Sequence, residues 1–304
     1  MKKTVLVFGA SSFVGSNLVD SFKNDFRVIG TYNKTPVQIS GVTCLPCDVL
    51  KKDYVSSLVA RFSPDYIIYA VGMNSIRKSQ LLHRQSENLN STGAVNCAAA
   101  SDRYNSKFIY ISSAFIFKPS ELNYLESETP LSETIYGKSI SSTEFFLQRS
   151  CMNYLILRCC SLYGRSFNPI HPNWFETLQT KLAKSESILI DDSIQTGFLD
   201  VHFMGTLLKN LLLTGVTNRL FHISSKDFKT RYEFAKIYAK VFKRDEDLIQ
   251  KSIGVFSKAE NSKQEERSLI QFKLDTSNVE DFLKLNMVTI EDSLKITYKR
   301  FTSA

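Results

Sequence analysis

The 304-residue sequence predicts an α/β fold, a doubly wound parallel sheet with a smaller C-terminal α/β lobe, on three observations. An apolar run from Thr4 to Phe8 ends at a glycine turn. Strand-like segments then alternate with helical patterns as far as about residue 165, after which helices dominate and strands shorten. Such alternation builds a sheet covered on both faces, with ligands at the carboxyl ends of its strands.

The first unit is the most informative. Thr4 to Phe8 reads as a buried strand, and Gly9-Ala10-Ser11-Ser12-Phe13-Val14-Gly15 as the turn into a helix with apolar spacing at Val14, Leu18 and Phe22. Small residues let backbone approach a ligand, and the free amides of a helix start favour a phosphate. The dinucleotide fingerprint has three glycines, whereas here its positions are Gly9, Ser12 and Gly15. The turn therefore reads as a Rossmann-type pyrophosphate site, with an ordinary tight turn as the alternative.

Further strands are expected at Val28 to Tyr32, Val42 to Leu45, Tyr66 to Ala70, Phe108 to Ile111 and Tyr154 to Leu157. Later helices are expected at Trp174 to Lys184, Phe203 to Leu213 and Tyr232 to Phe242. Lys258 to Arg267 is charged and poor in apolar residues, so an exposed loop is expected there. Thr289-Ile290-Glu291-Asp292 resembles a capping box opening a last helix. The division expected is a nucleotide-binding domain over 1–165 and a substrate-binding lobe over 166–304, interleaved with the first.

Composition narrows the class. With 43% hydrophobic and 22% charged residues the chain can bury a substantial core. No apolar stretch nears the roughly 20 residues of a membrane span, and Met1-Lys2-Lys3 leads straight into a strand, so a cytoplasmic protein is expected. The net charge of +8 is dispersed without a run of five basic residues. It reads as a solvated surface tolerant of anionic small molecules, not as a nucleic-acid patch. The six cysteines include one Cys44-x-x-Cys47, with no second pair or histidine cluster, and are expected to be reduced, mostly structural thiols with no metal.

The end of the second strand bears on the cofactor. A carboxylate there would bond the ribose 2′-hydroxyl of NAD, and a cation accommodates the 2′-phosphate of NADP. The chain reads Gly30-Thr31-Tyr32-Asn33-Lys34, which favours NADP over NAD unless Lys34 is simply a solvated loop lysine. Asp48, after the third strand, either caps the next helix or accepts from an adenine amino group.

Several motifs now fall in a familiar order: Gly9 to Gly15, Cys47-Asp48-Val49, Ala70-Val71-Gly72, Asn90, Ser112-Ser113 and Tyr136-Gly137-Lys138-Ser139. Over essentially its whole length the chain resembles the extended short-chain dehydrogenase/reductases. Tyr110 to Phe117, Leu157-Arg158, Tyr163-Gly164 and Lys273 to Ser277 make it most similar to their dTDP-4-dehydrorhamnose reductase branch. The resemblance implies NADP or NAD held by Gly9, Ser11, Ser12, Phe13, Val14, Gly15, Asn33, Lys34, Asp48, Val49, Ala70, Val71, Gly72, Asn90 and Tyr136. It implies a nucleotide-sugar substrate met by Asn173 and Arg165, a homodimer, and catalysis by Tyr136 as proton donor with Ser113 polarising the substrate oxygen.

One departure cuts across this. A phenol with a pKa near ~10 is tuned in the family by a lysine one helical turn later. Here that position is Ile140. Lys138 is only two residues on, roughly 200° around the helix, and cannot stand in. The other Tyr-x-x-x-Lys, Tyr232 to Lys236, falls in the second lobe and reads as coincidence, and the family's acidic residue after the serine pair is Ala114. Two readings stay open: a slow or altered reductase or epimerase, or a non-catalytic nucleotide binder. Of the other polar residues, His171 reads as a loop histidine, His202 as a helix start, and Arg158 as the partner of a carboxylate. Asn173 is also a natural cap for the helix at Trp174.

Overall fold

The computed structural model describes residues 2–151, 153–167, 172–252 and 269–302. His171 and the charged stretch 258–267 lie outside the described residues. Seven strands form the central sheet: β1 (Thr4–Phe8), β2 (Arg27–Tyr32), β3 (Thr43–Pro46), β4 (Tyr66–Tyr69), β5 (Lys107–Ser113), β6 (Tyr154–Cys159) and β7 (Arg219–Ile223). Their order is β7-β6-β5-β4-β1-β2-β3, and every pairing is parallel. The chain order reverses beside β1, so β1 and β4 diverge around a crevice at their carboxyl ends.

The helices are α1 (Phe13–Phe22), α2 (Lys52–Phe62), α3 (Ile76–Leu81), α4 (His83–Glu87), α5 (Gly93–Arg103), α6 (Ile135–Ser150), α7 (Trp174–Ala183), α8 (Val201–Leu213), α9 (Arg231–Val241), α10 (Ser277–Leu283) and α11 (Ile290–Thr302). Alternate residues of β1 face opposite ways. Val5 and Val7 pack with Leu18, Leu208 and Leu211, and Leu6 and Phe8 with Val55, Ala98 and Leu147. Helices α1 and α8 thus cover one face, and α2, α5 and α6 the other. A third core, around Tyr163, Phe175, Phe198 and Phe234, belongs to the second lobe. There Ile194–Thr196 lies between Lys229–Thr230 and Ile270–Leu274 in a four-stranded sheet.

The expected strands and helices are present with ends shifted by a few residues. The sequence reading missed α3 and α4, and it missed β7, by which residue 219 onward returns to the central sheet. Thr289 opens α11 as only half a capping box: its hydroxyl accepts from the Asp292 amide at 3.1 Å and donates to the Asp292 carboxylate at 2.7 Å. Among the described residues no helix is long and apolar enough to cross a membrane.

Candidate active site

Two pockets open at the carboxyl ends of the strands, one of about 1220 Å³ and one of about 860 Å³. Val71 and Leu81 line both, so the two pockets adjoin.

The glycine turn builds the junction. Gly9 has φ +91°, a conformation L side chains rarely adopt, and a Cβ there would meet the Ala70 carbonyl oxygen at 2.8 Å. Ser12 caps α1, its hydroxyl accepting from the Gly15 amide at 2.9 Å and donating to the Ala70 carbonyl at 2.9 Å. Gly9 and Ser11 line the smaller pocket, while Ser12, Phe13 and Val14 line the larger. Gly15 lies beneath the turn and touches neither lining; its role is to let the turn close, since a Cβ would sit 2.1 Å from the Gly9 oxygen.

In the smaller pocket the structure brings together Asn33, Lys34, Asp48, Val49 and Val71. Asp48 does not cap α2, whose N-cap is Lys51; its carboxylate accepts from the Leu50 amide at 3.0 Å. His83 and Arg84 of α4 form the opposite wall and were not foreseen, because nothing local in sequence marks residues that meet the groove through tertiary packing.

The larger cleft holds Ala70, Gly72, Asn90, Ser113, Tyr136, Ile140 and Asn173. Asn90 sits in the wide turn Asn88–Thr92. Its Oδ1 accepts from the Met73 amide at 2.7 Å and its Nδ2 donates to the Ser139 hydroxyl at 3.0 Å, clamping the β4 loop against α6. Its carbonyl is filled by the Tyr110 and Thr143 hydroxyls at 2.9 and 3.0 Å.

Ser113 ends β5 and lines the cleft with Tyr136, its hydroxyl accepting from the Phe115 amide at 3.2 Å. Burial raises the Tyr136 pKa above that of an ordinary phenol; the nearby Ser113 hydroxyl lowers it in part, and the Cys159 thiol adds a further rise. Tyr136 is therefore a neutral donor at physiological pH. Lys138 is exposed on another face of α6, and Tyr232 and Lys236 are absent from both linings, Lys236 donating to the Glu246 carbonyl at 2.6 Å.

Next to this strand end lies a buried ion pair. Arg158 Nη2 donates to Glu144 Oε2 at 2.8 Å, and Ser112, beside Ser113, donates to the same carboxylate. The position of Arg158 is thus that of a carboxylate partner.

Two substrate-side expectations come out differently. Asn173 lines the cleft, yet its amide is engaged: Oδ1 accepts from the Phe175 and Glu176 amides as the cap of α7, and Nδ2 donates to the Gly164 carbonyl at 3.0 Å. Arg165 lines neither pocket. Its guanidinium lies 3.9 Å from the centre of the Phe301 ring, because an exposed loop arginine gains more from that aromatic face than from extending into water. His202 opens α8, with its backbone amide held by Asp200 and its ring near Ser21.

The second lobe contributes residues that sequence reasoning did not single out: Trp174, Asp191, Thr196 and Arg231. Arg231 rests over the Trp174 ring at 5.2 Å, and the Thr196 hydroxyl is buried without a hydrogen-bond partner.

The model of the family described as RmlD substrate binding domain matches residues 1–303. The chain is 25% identical over 248 residues to methionine adenosyltransferase 2 subunit beta of Danio rerio, covering 79% of this chain and 74% of that protein. It is 25% identical over 238 residues to dTDP-4-dehydrorhamnose reductase of Aggregatibacter actinomycetemcomitans, covering 76% of each. The fold superimposes with a TM-score of 0.83 on dTDP-4-dehydrorhamnose reductase from Bacillus anthracis, a complex with NADP, at 19% identity over 99% of this chain and 100% of that one.

Proposed function

The chain belongs to the RmlD substrate binding domain family, and from that premise we propose that it is an NADP(H)-dependent reductase of a nucleotide-linked keto sugar, slowed by the loss of the tuning lysine. The observation that carries this reading is that Ser113 and Tyr136 share one cleft, which adjoins the glycine-turn pocket.

The residues present fit a dinucleotide. The Gly9 turn leaves no room for a side chain, Ser12 holds the start of α1 against it, and Lys34 and Arg84 face the smaller pocket as cations suited to a 2′-phosphate. NADPH, when bound, supplies the hydride. Ser113 polarises the carbonyl oxygen of the sugar, and Tyr136 gives its proton to that oxygen as negative charge develops there.

A neutral tyrosine suits one direction of this chemistry. It holds the proton that a reduction consumes, whereas an epimerase that begins by oxidising an alcohol needs a phenolate as base. Ile140 beside a phenol of raised pKa therefore favours reductase over epimerase. The same pair favours a second reading, a non-catalytic nucleotide binder, and the match to methionine adenosyltransferase 2 subunit beta is compatible with it.

The test titrates the purified protein with NADPH and NADH, then adds a panel of keto-sugar nucleotides while nicotinamide absorbance is followed. NADPH oxidation with one panel member is expected. Tight NADPH binding with no oxidation across the panel selects the binder, and absence of cofactor binding defeats both readings.

A further inference from the structure

We propose that Glu144 is a positioning residue for the reduction: bound to Ser112 and Arg158, it sets the register of α6 on the sheet and so holds Tyr136 in the cleft it shares with Ser113. This rests on the reductase reading above. Glu144 and Arg158 line neither pocket, so their effect on the reaction must pass through other residues.

Tyr136, Ile140 and Glu144 follow one another at four-residue steps along one face of α6 and are 9%, 5% and 1% exposed. Tyr136 and Ile140 line the cleft, and Ile140 contributes apolar packing only. Glu144 ends this stripe, roughly 12 Å along the helix axis from Tyr136.

The strands meet it with donors. Ser112 is paired with Arg158 across β5 and β6, and Ser113 with Cys159. The Ser112 hydroxyl donates to the Glu144 carboxylate, and Arg158 Nε and Nη2 donate to its Oε2 at 3.1 and 2.8 Å. Arg158 Nη1 in turn donates to the Glu126 carbonyl at 3.2 Å. One carboxylate thus grips both strands, one residue before Ser113 on β5 and one before Cys159 on β6.

Such a contact resists sliding. Apolar surfaces can shift past one another at little cost, whereas separated buried charges find no water to replace their partner. A displacement of about 1 Å at reacting atoms costs on the order of 10²-fold in rate, so the register of α6 matters to Tyr136.

Two variants loosen the contact gently. Glu144→Asp keeps the charge that Arg158 needs and draws the carboxylate back by one methylene. Ser112→Ala leaves the ion pair and removes its tie to β5. These and the double variant are assayed with NADPH and the keto-sugar nucleotide that wild type reduces, at a temperature where near-ultraviolet circular dichroism shows each to be folded. Each single variant is expected to lower kcat about ten- to a hundredfold, with NADPH affinity by nicotinamide emission unchanged. Because both changes cut one contact, the double variant should lose no more than the worse single. Wild-type kcat in either folded single variant overturns the assignment and leaves the reductase reading intact. Losses that multiply in the double variant give Ser112 a separate action and overturn it as well. A wild type that binds NADPH but oxidises it with no panel member overturns the reductase reading itself, and the assignment with it.

Discussion

Tyr136 and Ile140 stand one helical turn apart on α6 and line the same cleft, 9% and 5% exposed. The position from which a lysine would stabilise phenolate is thus occupied by a buried branched hydrocarbon. Ile140→Lys is expected to raise NADPH-dependent turnover toward the ~10²-fold that a tuned acid-base group contributes, with some loss of thermal stability because an ammonium is placed in an apolar setting. The pH profile gives the signature. Wild-type turnover should show no Tyr136 ionisation between about pH 6 and about pH 9, since burial pushes that phenol upward, whereas the variant should acquire one. NADPH binding with no gain in turnover supports the non-catalytic reading.

Gly15→Ala should disable the nucleotide turn without touching the pocket surface. The added methyl would lie 2.1 Å from the Gly9 carbonyl oxygen and 2.9 Å from the Ser12 hydroxyl, and backbone on one side of that clash cannot give way cheaply. The turn must open, separating Ser12 from the α1 amide it caps. NADPH affinity is expected to fall by more than about tenfold, the equivalent of losing one charge-assisted hydrogen bond. Unchanged affinity by nicotinamide fluorescence would remove the turn from the cofactor site.

The Arg158–Glu144 pair should matter more to stability than any surface ion pair. Both side chains are nearly inaccessible, and Glu144 also takes the Ser112 hydroxyl, so one carboxylate joins α6, β5 and β6 at the residue before Ser113. Removing one partner of such a pair strands the other charge, at a cost of about 3–5 kcal/mol. Glu144→Ala is expected to lower stability by that amount in urea unfolding, against ~0–1 kcal/mol for Glu291→Ala, whose exposed bond to Lys295 water screens. Equal effects would contradict the assignment.

What the sequence made legible is what local backbone chemistry dictates. Gly9 and Gly15 are readable because a tight turn against β4 excludes side chains, and the parallel sheet because two-sided burial leaves near-continuous apolar runs such as Val5 to Phe8. Ser113 and Tyr136 were readable only through family spacing, since neither is chemically marked by its neighbours. Trp174, Thr196 and Arg231 were not readable: they come from separate elements whose packing, not their order, brings them to one wall. Arg165 shows the converse, a charged residue beside a family motif whose side chain is drawn off to Phe301.

His222 gives the fold a defined acid sensitivity. Its ring is fully buried, edge-on to Phe117, with Nε2 3.4 Å from Arg158 Nη1. Burial, and then the Arg158 charge, push its pKa down to about 3. In the unfolded chain it returns to about 6.5. Between these values the unfolded state binds a proton that the folded state refuses, so stability is fully present above about pH 6.5 and is lost as pH falls toward about 3. One proton corresponds to about 1.4 kcal/mol per pH unit across that window. His222→Gln should be less stable than wild type near neutrality, having lost the ring contact, but the gap between them should narrow on acidification, because only wild type carries this titration. Paired urea unfolding curves at several pH values between 7 and 4 measure the difference directly; a gap independent of pH would mean that His222 titrates alike in the folded and unfolded protein, and the Arg158 contact would then have to be reassigned.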